Sequence, residues 1–212
     1  MEDITLRALR ILGEVDVVLA EDTRVTGKLL ARHNITVQLK SYHQQSSEKV
    51  SAHIADLLTE GKTLALVTDA GTPGVADPGN ELIARIEAVL PSARIEPIPG
   101  ASSLTAALSA CGFPTNEFVF FGFLPHKKGR KTLLDEVAES PRTCVLFESP
   151  HRIGKLLTSL AERCPDRSLK IFREITKLHE SSYRGTASEL HQQYEEKVIP
   201  EKGEFVVVLG PC

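Results

Sequence analysis

Val67-Thr68-Asp69-Ala70-Gly71-Thr72-Pro73-Gly74-Val75-Ala76-Asp77-Pro78-Gly79 is the stretch whose reading decides the fold. Ahead of it, Thr63-Leu64-Ala65-Leu66 is a short apolar run of buried-strand type. Behind it, Asn80-Glu81-Leu82-Ile83-Ala84-Arg85-Ile86 has helical spacing, with Asp77 suited to an N-cap and Pro78 to the first helical position. Three glycines and two prolines lie between strand and helix. They hold a tight backbone path and let main-chain groups approach a ligand with no side chain in the way. Ligands in open α/β sheets bind at the carboxyl ends of strands. The stretch therefore predicts an α/β fold and marks a binding edge, with a capped surface turn as the plain alternative.

The rest of the chain agrees. Further strands are expected at 16–20, 36–40, 63–67, 94–98, 118–123, 143–147, 168–172 and 204–209, with helices between most of them. Residues 3–13 present Ile4, Ala8, Ile11 and Leu12 on one helical face, and 46–60 present Val50, Ile54, Leu57 and Leu58. Over 150–163, Ile153, Leu156, Leu157 and Leu160 do the same after Ser149 as N-cap and Pro150 in the first turn. Thr186 and Glu189 form a capping box ahead of a short helix. Such alternation means mainly parallel pairing in the first half. Gly112-Phe113-Pro114-Thr115-Asn116-Glu117 interrupts the pattern, which predicts two α/β domains, 1–113 and 114–212, with a cleft between them.

Composition narrows the function. The 212 residues are 42% hydrophobic and 25% charged, as in ordinary globular proteins. No apolar run approaches the ~20 residues that span a bilayer, and no signal-peptide core opens the chain, so the cytoplasm is the expected location. Cys111, Cys144, Cys164 and Cys212 show neither CxxC nor Cys/His ligand spacing, which predicts reduced thiols and no metal site. A net charge of −3 argues against coating nucleic acid by bulk electrostatics but allows a local basic patch.

Polar residues gather just past the expected strand ends. Glu21-Asp22-Thr23-Arg24, Asp69, Pro99-Gly100-Ala101-Ser102-Ser103, Glu148-Ser149-Pro150-His151-Arg152 and Arg173-Glu174 all follow apolar runs. Carboxylates, hydroxyls and backbone N–H groups thus point toward one edge, where an active site belongs. Each has a structural alternative: Asp22 and Ser102 as helix caps, Glu148 with Arg152 as an i,i+4 ion pair. His126-Lys127-Lys128-Gly129-Arg130-Lys131 is the one concentrated basic run, either a solvated loop or a phosphate contact. Neither a Walker lysine nor GxGxxG is present, which disfavours nucleotide triphosphates and nicotinamide cofactors.

Taken together, these motifs resemble the ribosomal RNA small-subunit methyltransferase I family of the tetrapyrrole-methylase superfamily. The resemblance rests on Asp69-Ala70-Gly71-Thr72-Pro73 with Ala76-Asp77-Pro78-Gly79, Glu21-Asp22-Thr23-Arg24, Pro99-Gly100-Ala101-Ser102-Ser103 and Phe121-Gly122-Phe123-Leu124-Pro125. It continues through Phe147-Glu148-Ser149-Pro150-His151-Arg152, Arg173-Glu174-Ile175-Thr176-Lys177 and Gly203-Glu204-Phe205, so that it covers nearly the whole chain.

The resemblance implies two α/β domains with S-adenosylmethionine in the cleft, a homodimer, no metal, and methylation of a cytidine ribose 2′-hydroxyl in 16S rRNA of the small ribosomal subunit. It places Asp69, Gly71, Thr72, Pro73, Val75, Ser102, Ser103 and Phe147 at the cofactor, with Gly71-Thr72-Pro73 standing where the superfamily carries Gly-Asp-Pro. Glu21, Asp22 and Glu148 are the candidate general bases; Arg24 and Arg152 are candidate phosphate or ribose clamps, because a planar guanidinium matches phosphate oxygens. Lys127, Lys128, Arg130 and Lys131 are expected to meet RNA, in an assembled 30S particle rather than free RNA. Family members open with a strand and a Pro-Ile-Gly-Asn-Leu loop before the equivalent of Asp3-Ile4-Thr5-Leu6-Arg7, and some carry a further C-terminal domain; here Met1-Glu2 stands in that place, so the first strand is expected to be missing. A methylase of a small molecule, such as a tetrapyrrole or diphthamide precursor, and a catalytically silent truncated scaffold are the competing readings.

Overall fold

The computed structural model describes residues 2–43 and 48–212. The chain forms two compact units, Met1–Ser102 and Ser103–Cys212.

The first unit runs α1 (Leu6–Glu14), β1 (Val17–Ala20), α2 (Thr23–Arg32), β2 (Gln38–Ser41), α3 (Glu48–Thr59), β3 (Leu64–Val67) and α4 (Asn80–Val89). The strands lie in the order β2-β1-β3, all parallel. All four β1 residues are buried because helices cover both faces of this central strand. Val17 and Leu19 pack with Ile54 of α3 and with Leu82 and Ile86 of α4. Val18 faces the other way, onto Leu12 of α1 and Leu30 of α2. The chain leaves β1 toward β2 and returns on the far side as β3, so the gap between the carboxyl ends of β1 and β3 is a topological switch point, where such sheets bind ligands.

Three expectations in this unit are corrected. α1 starts at Leu6 because the Thr5 hydroxyl accepts from the Ala8 N–H at 3.1 Å and caps the helix. The expected strand over 94–98 does not form; the segment is largely exposed, and Pro97 lacks the amide that a ladder needs. α4 starts at Asn80 after Gly79 as N-cap, not at Pro78 after Asp77. In the expected helix over 46–60, residues 46 and 47 lie outside the described residues.

The second unit runs α5 (Ser103–Cys111), β4 (Phe118–Phe123), α6 (Arg130–Glu139), β5 (Thr143–Glu148), α7 (Ile153–Arg163), β6 (Ser168–Arg173), β7 (Ser181–Thr186), α8 (Ala187–Glu195) and β8 (Phe205–Leu209). Its sheet order is β4-β5-β8-β6-β7, with β4 and β5 parallel and β8 antiparallel to both its neighbours. Alternate strand residues face opposite layers. Cys144, Leu146, Ile171 and Val207 pack beneath α6, α7 and α8, while Val145, Phe172, Val206 and Val208 pack on Ala107, Leu108 and Cys111 of α5. That packing groups α5 with the second unit, and 112–117 connects it to β4.

Sequence pattern misses β7, because Ser181-Ser182-Tyr183-Arg184-Gly185-Thr186 has no apolar run; this edge strand is recruited by its ladder to β6. α7 begins at Ile153, not Pro150, because the Arg152 and Ile153 amides both donate to the Ser149 carbonyl and wind 149–152 into a turn first. The Thr186–Glu189 capping box is present in both directions.

Candidate active site

At the first unit's switch point the Asp22 amide donates to Asp69 Oδ1 at 3.3 Å. The Asp22 carboxylate caps α2 through the Arg24 N–H at 2.8 Å and pairs with the Arg24 guanidinium, Nη2 to Oδ2 2.5 Å. Those bonds to Arg24 hold the Asp22 carboxyl far below the usual carboxylate range. Asp22 is therefore a charged, fully engaged cap, a poor proton acceptor near neutral pH. Glu21, beside it at the end of β1, is half-buried and makes no hydrogen bond or ion pair among the described residues.

The glycine-rich loop closes on itself before α4. The Gly74 amide donates to the Pro78 carbonyl at 3.3 Å, Val75 N–H to the Thr72 carbonyl at 3.0 Å, and Asn80 Nδ2 to the Gly74 carbonyl at 2.7 Å. This clasp explains why the helix waits until Asn80. Gly79 has φ +151°, and a Cβ there would lie 3.1 Å from both Gly74 N and Leu66 Cδ2. At Gly71, φ is +75° and a Cβ would meet Asp77 Oδ2 at 3.0 Å. Gly71 and Val75 remain exposed while Gly79 is buried.

Two hydroxyls tie a second segment to this loop. Thr72 Oγ1 donates to the Ala101 carbonyl at 3.4 Å, and Thr5 Oγ1 donates to the Pro99 carbonyl at 3.1 Å. Residues 99–101, though not preceded by a strand, are thereby hung between α1 and the glycine-rich loop, and α5 opens at Ser103. A rigid loop with bare main chain at Gly71, next to a second tethered loop, fits a ligand gripped through backbone groups.

The second unit carries a separate cluster. Glu148 ends β5 with its side chain fully buried. Its Oε1 accepts from the Ser149 N–H at 2.9 Å and pairs with Arg152 Nε at 3.2 Å, and its Oε2 pairs with Arg130 Nη2 at 3.5 Å. The two guanidiniums also donate to the loop after β4, Arg152 Nη2 to the Leu124 carbonyl and Arg130 Nη1 to the Pro125 carbonyl. Arg130 thus turns inward, away from Lys127, Lys128 and Lys131, which are exposed. Phe147 sits on the α5 face with Phe120 and Phe123, at ring distances of 4.9 and 5.6 Å.

Glu148 and Arg173 both stand opposite Phe205 of β8, so the ends of β5 and β6 share one sheet edge. Beyond Arg173 lies a braced loop that strand-end reasoning left without a role. Glu174 and Thr176 hold φ of 53° and 64°, in the left-handed region. Glu174 Oε1 accepts from the Glu204 N–H at 2.8 Å, and Lys177 Nζ bridges Glu174 and Glu204 at 3.1 and 2.9 Å. The Glu204 N–H lowers the Glu174 carboxyl; burial pulls Lys177 down, but bonds to Glu204 and Glu174 carry it above its ordinary value. The sequence signals for this loop were the strand-end position of Arg173-Glu174 and the place of 173–177 in the family motif.

The family profile described as Tetrapyrrole (Corrin/Porphyrin) Methylases matches residues 1–191. A ribosomal RNA small subunit methyltransferase I from Thermotoga maritima is 43% identical over 210 residues, covering 99% of this chain and 93% of that protein. Among solved structures, a cobalt precorrin-4 methyltransferase of cobalamin biosynthesis is 22% identical with a TM-score of 0.70, over 99% of this chain and 89% of that one. A uroporphyrin-III C-methyl transferase from Thermus thermophilus, complexed with S-adenyl homocysteine, is 20% identical with a TM-score of 0.62, over 98% and 91% of the two chains. At those identities the solved structures speak for the fold alone. The chain belongs to the tetrapyrrole methylase family, and within it to the ribosomal RNA small subunit methyltransferase I group.

Proposed function

We propose that the protein methylates the ribose 2′-hydroxyl of a cytidine in 16S rRNA, with S-adenosylmethionine as donor and the small ribosomal subunit as substrate. The observation that carries this reading is the self-closed glycine-rich loop at the β1/β3 switch point, in a chain whose relatives bear the name ribosomal RNA small subunit methyltransferase I. Gly71, Thr72, Pro73 and Val75 would hold the cofactor through main chain, with Asp69 fixing the loop's root and Ser102 at its second wall. When bound, S-adenosylmethionine supplies a methyl carbon activated by its sulfonium.

The chain's own task is alignment and proton removal. Positioning of a nucleophile can lower a barrier by roughly 7–11 kcal/mol, provided the groups that orient it are rigid. The clasp of Gly74 with Pro78 and Asn80 supplies that rigidity. Of the three candidate bases, Asp22 is engaged by Arg24 and Glu148 by two arginines, which favours Glu21 as acceptor of the ribose proton. Lys127, Lys128 and Lys131 present positive charge for rRNA phosphates, with Arg24, 85% exposed, as a further clamp. A cytoplasmic homodimer is the proposed working form.

Incubating the protein with S-adenosylmethionine and unmethylated 30S subunits, then digesting 16S rRNA and weighing its nucleosides, tests the reading. One added 2′-O-methylcytidine is expected. Methylation of a base, or of tetrapyrrole substrates alone, would contradict it.

A further inference from the structure

We infer that Glu148 is a positioning residue for RNA docking and not the base that its place after a strand suggests; this rests on the RNA-docking reading of Lys127, Lys128 and Lys131. The carboxylate is wholly buried, and each oxygen holds one guanidinium, Arg152 on Oε1 and Arg130 on Oε2. With its side chain 0% exposed and held by two guanidiniums and the Ser149 N–H, this carboxylate presents no oxygen to solvent for a substrate proton. Loss of this carboxylate would also leave two cations with 15% and 16% exposed side chains without their counter-charge.

What the cluster does hold is the turn after β4. Leu124 is buried, and its carbonyl and that of Pro125 accept from the two guanidiniums that Glu148 fixes. Gly129 then caps α6 in the left-handed region at φ 81°, with Arg130 as the first helical residue. Lys127 and Lys128 therefore sit on a short arch pinned at Leu124 and Pro125 on one side and at Arg130 on the other, and Lys131 follows the second pin in α6. Both pins run through one carboxylate. A lysine on a flexible stem contributes more to phosphate docking when its backbone is already placed, because less ordering is left to the binding step. The cluster is thus the fixed base of a cationic platform that meets rRNA phosphates.

Steady-state kinetics on 30S subunits separates this role from proton transfer. Glu148→Gln and Arg130→Lys are each expected to raise KM for 30S by about tenfold, with kcat within about twofold and S-adenosylmethionine affinity unchanged. Arg130→Lys keeps the charge and the carboxylate, so it reports even if Glu148→Gln fails to fold. A Lys127→Ala, Lys128→Ala, Lys131→Ala triple variant should raise KM and flatten its salt dependence. A fall in kcat at unchanged KM in Glu148→Gln, or wild-type KM in both Glu148→Gln and Arg130→Lys while the triple variant is impaired, overturns the inference. Unchanged KM and salt dependence in the triple variant instead overturns the RNA-docking reading itself.

Discussion

The Asp22 amide donates to Asp69 Oδ1 at 3.3 Å, and this bond joins the carboxyl end of β1 to that of β3. The two residues come from strands separated by a helix, a strand and a second helix, yet parallel pairing of Ala20 with Val67 brings them level. Asp69→Ala should remove the tether at the root of the glycine-rich loop and weaken S-adenosylmethionine binding about tenfold by calorimetry, whereas Asp69→Asn keeps an acceptor and should retain most of the affinity. Equal loss in both variants would mean that the charge, not the tether, matters.

Gly79→Ala should be costly in a way that Gly61→Ala is not. Both positions have φ in the left-handed half of the map, but a Cβ at Gly61 meets nothing within 4 Å, while at Gly79 it meets backbone at 3.1 Å. Denaturant unfolding is expected to show a loss of about 1 kcal/mol at Gly61 and on the order of 3 kcal/mol at Gly79. Only Gly79→Ala should also lose S-adenosylmethionine binding.

Arg167 is a stability residue that no motif announced. It is buried, and its guanidinium donates to the carbonyls of Gly210 at 2.7 Å, Ala138 at 3.1 Å, Ser140 at 3.0 Å and Arg142 at 3.1 Å, and to that of Val137. It ties the end of α6 to the end of β8. Arg167→Met should cost on the order of 3 kcal/mol by leaving buried carbonyls unpaired, and Arg167→Lys should rescue little because an ammonium cannot span this fan. Urea midpoints of the two variants check this.

The acid limb of stability has a defined sign. Asp22 and Glu174 both have folded-state pKa values below their unfolded ones, Asp22 chiefly through Arg24 and Glu174 chiefly through the Glu204 N–H. Their contributions are complete above the unfolded values of about 3.9 and 4.3 and vanish as pH falls through the lower folded values. Lys177 runs the opposite way: raised in the fold, it contributes below about pH 10.4 and loses that contribution as pH rises through its folded value. With its side chain 44% exposed, the Lys177 pairs contribute at most about 1 kcal/mol. Lys177→Met should lower Tm slightly at pH 7, and that effect should shrink as pH falls through the lowered folded-state value of Glu174. Asp22→Asn should leave the pH dependence of turnover between pH 6 and 9 unchanged, since Asp22 does not titrate there.

Sequence patterning revealed most elements because buried strands and amphipathic helices leave periodic marks. The run Val17-Val18-Leu19-Ala20 and the Leu156-Leu157-Leu160 stripe are of that kind. The failures share a cause: pairing and side-chain bonding act beyond a local window. Polar β7 becomes a strand only by adding to β6, and 94–98 stays irregular despite its apolar residues. Asp77 and Ser149 have capping chemistry, but Asn80 and the Ser149 carbonyl close their loops later along the chain. At the site, residue types placed Asp22, Asp69 and Glu148 at strand ends, whereas their partners decided which of them are engaged. Glu21, Asp22 and Glu148 are indistinguishable as letters; Arg24, Arg130 and Arg152 tell them apart.

Hydrogen exchange with and without S-adenosylmethionine tests the central claim most directly. If the clasped loop at the β1/β3 switch grips the methyl donor, protection should concentrate in 69–79 and 99–103, with 181–195 unchanged. Donor binding that leaves 69–79 exchanging at its free rate would contradict the account.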